Sequence, residues 1–256
     1  MRYEKRSAAK KVLKEICHYP AKYIVIHYSC ESFYDIKDGK TPRITSIAVR
    51  EYASAQTRSF SIHKIAEKSG ASDLEIEERY DDFEKMMLDE FFQYLDRASN
   101  LSWIHWNMRD INYGFDAIRH RYEVLGGSPR SLEHLHLVDA ARLLKDYYGD
   151  NYAGGHPRLE SILKYNNMLH VDFLSGAQEA EAFDKHEYIK LHQSTLRKVN
   201  CIASLIDMSI EGKLQVCTQW YEIYGATPQG IYELIKNKWW FALATFVLGL
   251  AMGRVL

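Results

Sequence analysis

Three short stretches hold the residues whose types and spacing could do chemistry. In "YIVIHYSCESFYD", residues 23–35, an apolar run gives way at Ser29-Cys30-Glu31. In "IHWNMRD", Asn107 and Asp110 follow a second apolar run. In "LHQSTLRKVN", His192 is followed five residues on by Arg197 and then by Lys198. Carboxylates at strand ends are what a hard divalent cation needs, because Mg2+ takes oxygen ligands. A pair of such ions carries four positive charges and asks for a matching set of acids. Here Glu31 and Asp110 are the acids in place, and Arg197 adds a cation.

The elements that must position these residues follow from hydrophobic periodicity. Residues 23–30 form an apolar run that predicts a buried strand. Residues 41–66 alternate, with Ile44, Ser46, Ala48, Arg50 and Tyr52 on one face and Thr45, Ile47, Val49 and Glu51 on the other. This predicts two antiparallel strands joined near Ser54 to Gln56. Within residues 72–98, Phe83, Met86, Met87, Phe91 and Leu95 recur at helical spacing behind an acidic start. "LSWIHW" predicts a short strand ending at Asn107, and the next helix stops at Gly126-Gly127. "HLHLVDAARLLKDYYG" predicts a further strand and helix, and residues 158–213 carry helical stripes such as Leu159, Ile162 and Leu163. The sum is an α/β domain: a mixed sheet of about five strands with helices on both faces.

The net charge is −1, so no global field draws the 256-residue chain to nucleic acid, and such binding needs a local basic patch. Cys17, Cys30, Cys201 and Cys217 lie far apart without metal-ligand spacing and read as free thiols. His134 and His136 could share a strand face but lack further ligands. Residues 1–20 lack the apolar core of a signal peptide and predict an exposed basic amphipathic helix. Residues 21–223 form the main domain and 224–238 a linker and juxtamembrane segment. Residues 239–256 begin "WWFALATFVLGLAMG", flanked upstream by Lys236 and Lys238. As a helix they would reach roughly 27 Å at ~1.5 Å per residue, which favours a C-terminal membrane anchor over a buried core helix. The positive-inside rule then leaves the main domain cytoplasmic. Gly249-x-x-x-Gly253 could pair two such helices as a homodimer.

The element order and the residues at element ends resemble the DnaQ-like (DEDDh-type) 3′–5′ exonucleases of the ribonuclease H-like superfamily, over roughly residues 23–212. That family gathers four carboxylates from a first-strand Asp-x-Glu, an Asp after an Asn-rich strand end and a final His-x-x-x-x-Asp. They hold two Mg2+ ions, and the His is the general base. "HPRLESILKYNNM" resembles the helix that precedes the last motif, and "LVDAARLLK" the strand and helix after the second. The resemblance implies that Glu31, Asp110 and His192 stand at catalytic positions, with Glu31 and Asp110 as metal ligands. Ser29 and Arg197 then stand where the family has Asp. A guanidinium can take over a metal's role through forked hydrogen bonds, so Arg197 is expected to pair with Glu31 or Asp110.

The reading that follows is a membrane-tethered, exonuclease-like domain with incomplete metal ligands. It would bind nucleic acid, a nucleotide or a protein partner without two-metal catalysis or a cofactor. Asn107, Arg197 and Lys198, with His105 and Trp106 nearby, would contact phosphate. One alternative is an active exonuclease using Mg2+ or Mn2+, rescued by Asp35, Asp116, Asp139 or Glu187. Another is a membrane-associated assembly protein. A third is a different register, in which Asn107-x-x-Asp110 is an ordinary helix cap.

Overall fold

The longest apolar run in the first half of the chain becomes the centre of a sheet. The computed structural model describes residues 2–31, 41–109, 112–236 and 238–252. In it β1 (Tyr23–Cys30) is buried over its first seven residues, as a strand covered on both faces must be. β2 (Ile44–Glu51) pairs with it antiparallel, and β3 (Thr57–Ser61) returns along β2 as the outer strand of the hairpin. β4 (Ser102–His105) and β5 (His136–Asp139) add on the other side, both parallel, giving the order β3-β2-β1-β4-β5.

Helices sandwich this sheet. On one face lie α2 (Ile62–Lys68), α3 (Asp73–Glu78), α4 (Tyr80–Arg97) and α5 (Phe115–Val124), around Ile24, Ile26, Tyr28, Phe83 and Phe91. On the other lie α1 (Arg2–His18), α6 (Ala140–Tyr148), α7 (Arg158–Tyr165) and α9 (Tyr188–Ile210), around Tyr23, Val25, Ile104 and Ile202. α8 (Gly176–Asp184) sits at one end, and α10 (Trp220–Tyr224), α11 (Pro228–Ile235) and α12 (Trp239–Met252) follow. Strict alternation along β1 makes the two clusters: even-numbered residues face one layer and odd-numbered residues the other.

The α/β class and the five-stranded mixed sheet agree with the sequence; several details do not. Among the described residues no helix is long and apolar enough to cross a membrane. The described part of α12 has 14 residues, roughly 21 Å at ~1.5 Å per residue against a hydrocarbon core of about 30 Å, so the described residues do not form the spanning anchor the sequence suggested. Gly253, half of the supposed dimer motif, lies outside the described residues. α1 is not an appendage: Ala9, Leu13 and Ile16 are buried against the domain. Much of the expected linker is helical, with Thr227 capping α11 through its hydroxyl on the Gly230 amide. On α4, Met86 faces solvent while Phe83, Met87, Phe91 and Leu95 are buried.

Ile44 also changes face. Ser29 pairs with Ser46 but Cys30 pairs with Ile44, so β2 carries an extra residue, Thr45, opposite β1. Such a bulge turns the strand by one position, which puts Ile44 in the same cluster as Ile47 and Val49. The Thr45 hydroxyl donates to the Ser29 carbonyl at 3.0 Å and fixes the bulge beside the end of β1.

Candidate functional site

A cleft of about 960 Å3 opens where β1 and β4 end, walled by α7, α8 and the start of the segment after β4. His27 and Ser29 point into it because they share the α9-facing side of β1. Its floor is one carboxylate oxygen. Glu179 Oε1 receives Lys198 Nζ at 2.7 Å, the Ser29 hydroxyl at 3.0 Å and the Ser194 hydroxyl at 3.1 Å. The Lys198 and Glu179 side chains are 7% and 14% exposed, so this is a nearly buried ion pair. Ser194 also accepts the Leu174 amide at 3.2 Å, and the Phe173 ring lies 5.2 Å from the Lys198 ammonium. Ser194 and Lys198 are thereby each held from two sides, and hydrogen-bonded charges of this kind resist displacement.

His27 is buried beside this pair at the cleft wall, and burial, then the Lys198 charge, hold its imidazole well below the usual histidine range. It stays neutral at physiological pH. Tyr113 stacks on Tyr28, with ring centroids 4.6 Å apart, and its hydroxyl donates to the Tyr28 carbonyl at 3.2 Å. Burial raises the Cys30 thiol far above its ordinary value, which leaves it unreactive as a nucleophile.

The structure brings together some of the expected residues and separates others. Ser29, Glu31, Asn107 and Lys198 all line the cleft. Asp110 and Asp35 lie outside the described residues. Arg197 does not pair with Glu31: it makes a forked pair with Asp172, Nε to Oδ1 at 3.0 Å and Nη2 to Oδ2 at 2.7 Å. The reason is helical phase, since adjacent residues on α9 point about 100° apart. The cation that enters the cleft is therefore Lys198, one residue later. Being tied to Glu179, it is not the free phosphate contact the sequence suggested.

His192 is also displaced. It packs against His63, ring centroids 5.0 Å apart, and its Nε2 has no hydrogen-bond partner among the described residues. Six residues of helix separate it from Lys198, which turns it to another face of α9. Burial, then Lys64 and His63, depress its imidazole to about 3. Glu31 is held by Arg43, whose amide and Nε lie 3.3 Å and 3.4 Å from Oε2.

The acids proposed as substitute ligands are engaged elsewhere. Asp139 caps α6 by accepting the Ala141 amide at 3.0 Å, accepts the Asn107 amide at 3.2 Å and pairs with Arg109 at 3.0 Å. Asn107, held at a positive φ of 56°, is thus oriented by the residue that caps α6. Asp116 pairs with Arg119, and Glu187 with Lys190. His105 is buried with Nδ1 accepting the Met108 amide at 3.1 Å, while Trp106 lines the cleft. Among the described residues no group of three or more His, Cys, Asp or Glu is placed to hold a metal.

Glu179 is the residue that sequence reasoning missed. Ser175 and Gln178 form a capping box that opens α8, and the next residue is Glu179, so the cap fixes the first turn from which it projects. The cleft is acidic overall: Glu31, Glu160, Glu179, Glu181 and Asp184 face Arg158 and Lys198. No family profile and no curated protein matches the chain.

Proposed function

We propose that this chain is a binding domain of the ribonuclease H-like, DnaQ-related kind whose cleft has given up two-metal chemistry. One observation carries the reading: the Lys198 ammonium sits on Glu179, with Ser29 and Ser194 on the same oxygen, at the end of the first strand. A divalent ion at that floor would have to displace a buried ammonium and would meet its charge at low dielectric. The cation in place of a metal is thus Lys198, not Arg197.

The ligand class follows from charge and lining. Carboxylates outnumber cations, and Trp106, Tyr113 and Phe173 supply apolar surface. A nucleic-acid strand would bring phosphates against these carboxylates, which costs affinity. A peptide segment carrying Arg or Lys beside an apolar side chain matches both the charge and the surface. The cleft is large enough for several side chains.

The full chain tests this in two assays. Labelled single-stranded DNA and RNA should survive incubation with Mg2+ or Mn2+, and a labelled Arg-containing peptide should bind more tightly than a labelled oligonucleotide. Metal-dependent degradation that disappears in Glu31→Gln or Glu179→Gln would establish the exonuclease alternative instead.

A further inference from the structure

The charge that the cleft lacks is gathered elsewhere. α1 places Arg6, Lys10 and Lys14 at four-residue spacing on one face, with Lys11 beside them. These four cations and Tyr224 line a hollow of about 200 Å3 between α1 and the α10–α11 corner, and Glu233 is the acid in that lining. Like charges four residues apart on a helix repel, so the arrangement is unfavourable unless something neutralises it. Glu233 answers Lys10 at 3.7 Å but is shared with Lys236, the residue that follows its own helix. Lys11 and Lys14 have no ion-pair partner among the described residues.

The hollow is also shaped in advance. The Arg6 guanidinium lies over the Tyr147 ring at 4.1 Å and the Tyr224 ring at 4.5 Å, and Nη1 donates to the Tyr147 carbonyl. That leaves Nε and Nη2 without a protein acceptor among the described residues, on a plane already fixed by stacking. The Tyr224 wall is set by the close turn into α11. A Cβ at Gly230 would lie 2.3 Å from the Tyr224 carbonyl oxygen, so only glycine fits there.

We propose that this hollow binds a phosphate or pyrophosphate group, with Arg6 as the oriented fork and Lys10, Lys11 and Lys14 as the neutralising charges. A multivalent anion suits it better than a carboxylate, because several ammonium groups converge on a small volume. The group could belong to a soluble phosphorylated compound or to a lipid headgroup. The exposed apolar side chains of α12, which follows α11, make the second source worth testing.

Pyrophosphate titrated into the full chain at low salt, followed by calorimetry, should show saturable binding that weakens as salt is raised. Lys11→Gln combined with Lys14→Gln should weaken it by about tenfold or more, the effect of losing charge-assisted contacts. Both side chains are exposed, so the fold is not at stake. Arg6→Lys, which keeps the charge and loses the fork, gives a second measurement if the double variant fails to fold. Sedimentation with phosphatidylcholine vesicles, with and without phosphatidylserine, separates the sources. Pyrophosphate binding without vesicle binding assigns a soluble ligand, and phosphatidylserine-dependent sedimentation lost in the same variants assigns a headgroup. No binding to either probe at low salt, or equal binding by wild type and the double variant, overturns the proposal.

Discussion

Ser194 and Lys198 stand one turn apart on α9 and converge on the same oxygen of Glu179, at 3.1 Å and 2.7 Å. This places helix α9, strand β1 (through Ser29) and helix α8 around a single atom. The ion pair should therefore act as a latch between elements far apart in sequence. Glu179→Ala leaves the Lys198 ammonium buried without its partner and should cost about 3–5 kcal/mol. Replacing both residues by apolar ones of similar volume, Glu179→Leu with Lys198→Met, should recover most of that loss. Urea unfolding of Glu179→Ala and of the double measures the difference. Equal losses in the single and the double would mean that the pair is not a latch.

Arg197, next door, makes the opposite prediction. Its partner Asp172 and Arg197 itself are each about one-third exposed, at 38% and 33% of the side chain. Surface pairs of this sort contribute about 0–1 kcal/mol. Arg197→Ala should leave stability nearly unchanged and leave peptide binding in the cleft intact. A large loss of either would restore Arg197 to the site.

His27, His105 and His192, all buried, predict an acid-sensitive fold. Burial holds His192 at about 3, His105 at about 4 and His27 well below the ordinary value of 6.5. Between 6.5 and these values the unfolded chain binds protons that the folded chain refuses, so stability rises with pH across that window. The contribution is complete above pH 6.5 and is lost as pH falls toward 3. Each histidine adds at most about 1.4 kcal/mol per pH unit to the slope. His192→Gln should flatten the pH dependence of the urea midpoint by roughly one proton, and an unchanged slope would contradict the burial argument.

On the opposite face, Arg121 forks onto Glu84, with Nε 3.1 Å from Oε1 and Nη2 2.6 Å from Oε2. Glu84 also accepts the Ile44 amide at 2.7 Å, tying α4 and α5 to the start of β2. Burial pushes the Glu84 carboxyl up to about 7 even against Arg121. Arg121→Met removes the cation and raises that carboxyl further. The variant should be destabilised by about 3–5 kcal/mol at pH 8, where the carboxyl must either ionise without its partner or take up a proton that the unfolded chain does not hold, and by less at pH 5.5, where it is protonated in any case. Urea unfolding at the two pH values checks the sign.

What the sequence by itself determined was the set of elements. Period-two and period-3.6 patterns are local, and they were enough for the buried first strand, the hairpin, the strand–helix alternation and the α/β class. The acid-poor strand end at Ser29-Cys30-Glu31 was equally legible. The tertiary structure decided which side chains meet. A shift of one residue on a helix turns a side chain by about 100°, so it alone could replace Arg197 by Lys198 and send His192 to His63. Glu179 was invisible for a related reason: 150 residues separate it from Ser29, and nothing local in either stretch records that they touch. Apolar composition likewise marked residues 239–256 without fixing the helix length that a bilayer requires, and the described helix covers only Trp239–Met252.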